Sequence, residues 1–165
     1  MAEYNQRDKS RTSGRIGEKK MRWLGSWVPR RLEMYLSPAW QKAPRPLIKI
    51  LERLEVEHLR HGGKANGELY VAYSQFVAAG VSKRSILRTL DLGCALGFLE
   101  VTRQEEARGD IRPPNAYRLT YVPAIGKNNP TDEWKSLTEE RVDYLLGQYR
   151  VEEETSSRAT RRKVS

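Results

Sequence analysis

Basic and hydroxyl side chains cluster in the segment that follows Ser82. The set consists of Lys83, Arg84, Ser85, Arg88 and Thr89. Arginine can donate two hydrogen bonds to one guanine, and serine and threonine can bond bases or phosphates. An α-helix that carries such groups near its N-terminal half fits the major groove of duplex DNA. A basic helix face that only meets solvent is the alternative interpretation.

Three further arginines lie between two β-prone runs at 98–102 and 116–121. They are Arg103, Arg108 and Arg112, mixed with the acids Glu105, Glu106 and Asp110. Gly109, Pro113 and Pro114 interrupt any strand in this stretch. We therefore expect a hairpin with a long loop, whose arginines could meet phosphates or enter a minor groove. The acids make this contact a weaker prediction than the helix.

The pattern of apolar residues predicts the elements that position these groups. Ser82 is a suitable N-cap for a helix whose Ile86, Leu87 and Leu90 can face inward, and Gly97 is a suitable end. A short helix between Ser74 and Gly80 precedes it, at the spacing of a helix-turn-helix. A longer helix over 45–61 has apolar residues at helical spacing. Helix, turn, helix and hairpin together indicate an α+β fold, a winged helix-turn-helix with a small antiparallel hairpin and an extra C-terminal helix.

Composition shifts divide the chain into five segments. We expect a disordered basic arm over 1–22, which carries seven Lys or Arg against three acids, and a short packing segment over 23–36. The winged-helix domain is predicted over 37–122. A loop and a helix capped by Thr131 follow over 123–150, and 151–165 are expected to be a disordered charged tail.

The net charge of +9 favours an anionic partner, most simply nucleic acid, with an acidic membrane surface or simple solubility as the alternatives. One cysteine excludes an intramolecular disulfide, and His58 and His61 lack neighbours that would complete a metal site. Neither a cofactor, a metal nor catalysis is expected, because no catalytic motif is present. No signal-type or membrane-spanning apolar stretch is found, so we expect a cytoplasmic protein without membrane contact.

Several longer motifs resemble a bacterial family. The runs SPAW, EHLRHGGKANGELYVAYSQFVAAGVSKRSI, LGFLEVTR, RPPNAYRLTY and PTDEW are similar to those of small winged-helix proteins described mostly as helix-turn-helix or uncharacterised proteins. That domain is in turn similar to the winged helices of plasmid replication initiators. The resemblance spans about Ser37 to Trp134, and it implies a winged-helix fold and DNA binding. One departure is Gly93, where members usually have a large apolar residue.

Three hypotheses about function follow. The first is a sequence-specific double-stranded DNA-binding protein, a transcriptional regulator that binds a two-fold site as a homodimer through the C-terminal helix or the 23–36 segment. The second is a plasmid or mobile-element maintenance protein that binds origin repeats. The third is a winged helix that binds another protein or RNA and does not read duplex DNA. Only a ratio of specific to non-specific affinity separates the third from the others.

Overall fold

The computed structural model describes residues 27–103 and 115–164, with side chains as far as residue 156. These ranges form six α-helices and one three-stranded antiparallel sheet, so the chain is of α+β class as its sequence predicts. The helices are α1 (Leu32–Leu36), α2 (Pro38–Gln41), α3 (Arg45–Arg60), α4 (Tyr73–Ala78), α5 (Ile86–Ala95) and α6 (Glu139–Val164). The strands are β1 (Leu69–Tyr70), β2 (Leu99–Thr102) and β3 (Ala116–Leu119), and a 3₁₀ turn spans Glu133–Ser136.

Helix α3 lies at the centre of the core, close to its predicted bounds. Its buried apolar side chains recur at helical spacing, and they are Leu47, Ile50, Leu51 and Leu54. Pro46 lies in the first turn, where its missing N–H breaks no helical hydrogen bond. Gly62 and Gly63 follow the helix with positive φ angles, a conformation that glycine adopts at no steric cost. Helices α4 and α5 and strand β1 all pack against α3.

The sheet has one strand more than the predicted hairpin. Strand β3 pairs antiparallel with β2, as expected, and its other edge pairs with β1 in the order β1-β3-β2. Leu69 of β1 lies opposite Tyr117, and both side chains are buried. A strand of two residues is too short to show alternation of apolar and polar side chains. The sequence around Leu69 and Tyr70 therefore contains β-prone residues but no pattern that predicts a third strand.

The segment before α2 packs on the domain at two points. Met34 is buried, and the guanidinium of Arg30 donates hydrogen bonds of 2.8 and 2.5 Å to the carboxylate of Glu55. The hydroxyl of Tyr121 donates a third, of 2.7 Å, to the same carboxylate. Leu32 and Leu36 are exposed, so the packing predicted for 23–36 is confined to part of it, and 23–26 lie outside the described residues.

Helix α6 shares the core of the rest of the domain. Val142 and Leu146 are buried within the single core cluster that also holds Met34 and Trp134. The predicted division between 37–122 and 123–150 is therefore not a division between separate cores. The helix begins at Glu139 instead of following Thr131, because Asp132 has a φ of +52° that an α-helix does not accommodate.

The helix α6 also extends further than its sequence pattern predicts. It continues to Val164, although the charged stretch after Val151 was expected to be a disordered tail. Glutamate, alanine and arginine are all good helix formers, so charge alone does not end a helix there. A contact with α5 at Glu153, described below, further holds the extension. The predicted arm over 1–22 lies outside the described residues.

Two glycines determine how α5 ends and how closely it packs. Gly97 has a φ of +69°, and the N–H groups of Gly97 and Phe98 donate to the carbonyls of Cys94 and Gly93 at 2.9 and 3.0 Å. This is a Schellman ending, and it confirms the predicted stop. Gly93 lies within α5, where an added Cβ would come within 2.7 Å of Leu99 and 2.8 Å of Leu47. The glycine thus allows α5 to lie directly on α3 and β2, without a kink or an early end.

Candidate nucleic-acid interface

The connection between α4 and α5 presents two basic side chains to solvent. Residues 83–85 form a turn, so α5 begins at Ile86 and not directly after the predicted cap, Ser82. The N–H and the hydroxyl of Ser85 donate to the carbonyl of Ser82 at 2.9 and 3.0 Å. These bonds fix the turn. Lys83 and Arg84 are exposed on it, and neither forms an ion pair with any residue that the structure describes.

Two basic residues of α3 extend this surface. The ammonium group of Lys49 donates a hydrogen bond of 3.1 Å to the carbonyl of Gly80, at the start of the connection between α4 and α5. Arg45 is exposed one helical turn before Lys49, on the same side of α3. We call Arg45, Lys49, Lys83 and Arg84 the basic surface. Arg45 and Lys49 could not be predicted from sequence patterns, because the tertiary contact through Gly80 has no local signal.

Two of the predicted site residues on α5 face the interior. Ser85 is 4% exposed and Thr89 is completely buried, so neither can reach a base in this conformation. The hydroxyl of Thr89 lies 3.2 Å from that of Tyr149 on α6. Burial raises the pKa of the Tyr149 hydroxyl, so this group stays protonated even further above physiological pH than an exposed tyrosine. These two residues join α5 to α6 and do not belong to an outward-facing site.

Arg88 is also engaged by α6. Its guanidinium donates hydrogen bonds of 2.8 and 3.2 Å to one carboxylate oxygen of Glu153, and the two side chains are 21% and 30% exposed. An internal ion pair of this kind neutralises the positive charge that a phosphate would need. The central part of α5 is therefore not a free basic face, in contrast to the expectation from its sequence.

The exposed side of α5 changes from basic to apolar to acidic between its start and its end. Leu87, predicted to face inward, is 48% exposed and lies three residues after Arg84. Asp91 follows one turn later and accepts a hydrogen bond of 3.0 Å from Arg103, the first residue of the predicted loop. That pair is exposed, so its contribution to stability is small. Arg108 and Arg112 lie outside the described residues, and the predicted loop contacts stay predictions.

No group of three metal-ligating side chains is found within residues 27–103 and 115–164. No helix in the described part of the chain is long and apolar enough to cross a membrane. None of the family models, curated proteins or solved structures compared with this chain matches it. An inference about function therefore rests on the fold, on the distribution of charge and on the chemistry of the basic surface.

Proposed function

We propose that this protein is a sequence-specific binder of double-stranded DNA, and that residues 45–119 form a winged helix-turn-helix. The order α3, β1, α4, α5 and the β2–β3 hairpin is the order of elements in that fold, which supports the proposal. Recognition helices of this type contact base edges with their N-terminal residues. In this chain two exposed cations, Lys83 and Arg84, lie in the turn that leads into the N-terminal end of α5.

The observation that carries the proposal is the exposure of Lys83 and Arg84 on the connection between α4 and α5, which Lys49 of α3 contacts at Gly80. The four cations occupy two elements joined by the hydrogen bond from Lys49 to Gly80, so they can meet phosphates on a common side. Arg84 can also donate two hydrogen bonds to a guanine, and the exposed Leu87 next to it can contact a thymine methyl group. We assign the contacts to this end of α5 and not to Ser85, Arg88 or Thr89.

The distribution of charge supports an anionic polymer as the partner. Positions 157–165 carry four Lys or Arg and no acid, and 1–22 carry seven against three. Between the two ends, basic and acidic residues are nearly balanced. Basic ends add affinity for phosphates without sequence preference, whereas the basic surface on α3 and α5 would supply the register on the duplex.

The proposal is tested by selection from a pool of random duplex DNA, using the full chain. Enrichment of one motif, bound at least a hundredfold more tightly than unrelated duplex, is the expected result. Equal retention of all sequences, or none, would contradict it. Mapping that motif in the genome then separates a regulator, with single or paired sites at promoters, from a replication protein, with repeated sites at an origin.

Removing both exposed cations at the start of α5 should weaken specific binding strongly. The double substitution Lys83→Ala and Arg84→Ala is expected to raise the dissociation constant for the selected motif about 10–100-fold, and to lower the salt dependence by about two released ions. Titrations at several salt concentrations measure both quantities.

The matched control removes two exposed cations elsewhere. Arg60→Ala with Lys64→Ala deletes the same charge at the far end of α3, about 17 Å along the helix from Lys49. Its effect on affinity should be several times smaller. Equal losses in the two double variants would reduce the proposal to non-specific attraction by net charge.

A further inference from the structure

The outer face of α6 carries an apolar stripe on which no other element of the described chain packs, and only Arg141 and Gln148 of α6 itself contact its tyrosine. Tyr144 and Val151 are 54% and 66% exposed, and Gly147 lies between them at helical spacing. The opposite face of α6 packs into the core through Val142 and Leu146. We call Tyr144, Gly147 and Val151 the outer stripe. Exposed apolar residues that are grouped on one face, and not scattered singly, mark a site of interaction.

Within residues 27–103 and 115–156, no neighbouring atom requires a glycine at position 147. Glycine is among the poorest residues for a helix interior, and an added Cβ at Gly147 would meet no atom within 4 Å. Gly93 shows the opposite case, since its Cβ would collide with Leu47 and Leu99. A helical glycine that the monomer does not require is explained if a second surface approaches closely at that point. The outer stripe then has a notch at its centre, flanked by an aromatic ring and a branched side chain.

The charges beside the outer stripe identify a second copy of this chain as the occupant. Helix geometry places Arg141 and Glu152 along one side of the stripe, and Asp143 and Arg150 along the other. Asp143 also accepts a hydrogen bond of 2.7 Å from Lys42 of its own chain, but its carboxylate stays 57% exposed and can meet a second cation. In an antiparallel two-fold pair of helices, the same side of each copy meets its counterpart. A register centred between Gly147 and Gln148 then brings Arg141 near Glu152 of the other copy, and Asp143 near Arg150. Each side becomes complementary to itself, as an isologous interface requires.

The same register also matches the apolar groups. Tyr144 of one copy lies opposite Val151 of the other, and the two glycines lie nearest the axis, where the backbones approach most closely. A parallel pair would instead place Glu140, which is exposed one turn before Tyr144 on the same face, directly opposite its counterpart, and this opposes association. The antiparallel pair avoids this repulsion.

We propose that α6 is the self-association surface of this protein, which pairs two copies antiparallel through the outer stripe. This surface is separate from the basic surface on α3 and α5. The proposal therefore does not depend on DNA binding, and it can fail without affecting the proposed function.

Sedimentation of the full chain over a range of concentrations tests the proposal. We expect a rise from the 19.1 kDa of one chain to twice that mass. Val151→Lys should raise the dimer dissociation constant at least tenfold. Ile125→Lys, at an apolar residue of similar exposure in a loop, should leave it unchanged. A monomer at all concentrations, or a dimer that Val151→Lys does not weaken, would overturn the proposal.

Gly147→Ala distinguishes an effect on the dimer interface from an effect on the stability of the helix itself. At a concentration where all variants are monomeric, alanine should raise the melting temperature by about 3 °C, because it favours the helix. The same substitution should weaken the dimer, since the methyl group fills the notch. A more stable monomer with unchanged or tighter dimerisation would show that the glycine is not at the interface.

Cysteine cross-linking tests the orientation in a Cys94→Ser background. A mixture of Tyr144→Cys and Val151→Cys chains should form a disulfide between the two variants. Tyr144→Cys alone should not, because the two positions in an antiparallel pair lie about 10 Å apart along the axis. Efficient cross-linking of Tyr144→Cys with itself would contradict the antiparallel register.

Discussion

Replacing Asn66 with alanine is expected to lower the free energy of unfolding by about 3–4 kcal/mol, because three buried hydrogen bonds to the backbone are lost. Asn66 is completely buried. Its amide group donates to the carbonyls of Leu119 and Val122 at 2.8 Å each, and its carbonyl accepts from the N–H of Leu119 at 2.7 Å. Alanine would leave three buried backbone groups without these partners. Chemical denaturation measures the change.

Asn66→Asp distinguishes this hydrogen bonding from the loss of side-chain volume. A carboxylate can still accept from the N–H of Leu119, but it cannot donate to the two carbonyls and would repel them. It should therefore destabilise the protein at neutral pH at least as much as alanine does. Asn128→Ala, in an exposed loop, is the control and should change stability by less than about 0.5 kcal/mol. A loss below about 1 kcal/mol in Asn66→Ala would refute this account of the residue.

Gly93→Leu is expected to destabilise the protein by about 3 kcal/mol or to prevent folding. The space that a larger side chain needs is already filled by Leu47 and Leu99, whose methyl groups lie within 2.8 Å of an added Cβ. Overpacking of this kind forces either the backbone or neighbouring rotamers to move, and it outweighs the gain in helix propensity. Thermal unfolding measures the effect.

The stability of Gly93→Leu also tests why this chain has glycine where members of the similar winged-helix family usually have a large apolar residue. If the chain had lost a core residue at position 93, leucine would fill a cavity and stabilise it. The close contacts at Gly93 indicate instead that the neighbours have taken up the volume. Leu99→Ala combined with Gly93→Leu should recover part of the lost stability, because it vacates the space that leucine needs. A stabilised Gly93→Leu single variant would contradict the close packing.

Two of the motifs that carry the resemblance are in direct contact in the folded chain. The runs HGGKANG and RPPNAYRLTY lie about fifty residues apart in the sequence. The hydrogen bonds of Asn66 to Leu119 join them directly. Residue types and local spacing could not reveal this contact, because a buried asparagine has the same local sequence features as an asparagine in an exposed turn.

Much of the fold follows from periodicity and breakers. The apolar spacing over Leu47–Leu54, the β-prone runs of the hairpin and the stop at Gly97 all lie where the sequence predicts. The helix start at Ile86 and the third strand were missed, since a turn that is fixed by hydrogen bonds within 82–85 and a two-residue strand leave no periodic signal.

The candidate site was harder to predict than the fold. The sequence places Arg88 and Thr89 beside Arg84, but which residues of a helix face solvent depends on what packs against it. Helix α6 covers Thr89 with Tyr149 and neutralises Arg88 with Glu153, which lie 60 and 65 residues further along the chain. Lys49, which contacts the connection between α4 and α5, precedes this connection in the sequence by about thirty residues. Both effects are tertiary, and a pattern of residue types contains neither.

The central claim is that duplex DNA contacts the N-terminal end of α5 and the adjacent part of α3. Mapping of backbone amide NMR shifts during titration with the selected duplex tests it most directly, residue by residue. We expect the largest shifts at 82–87 and at 45–49, with little change on the outer face of α6 at 144–151. Shifts confined to α6 or to the termini, with 82–87 unchanged, would contradict the claim.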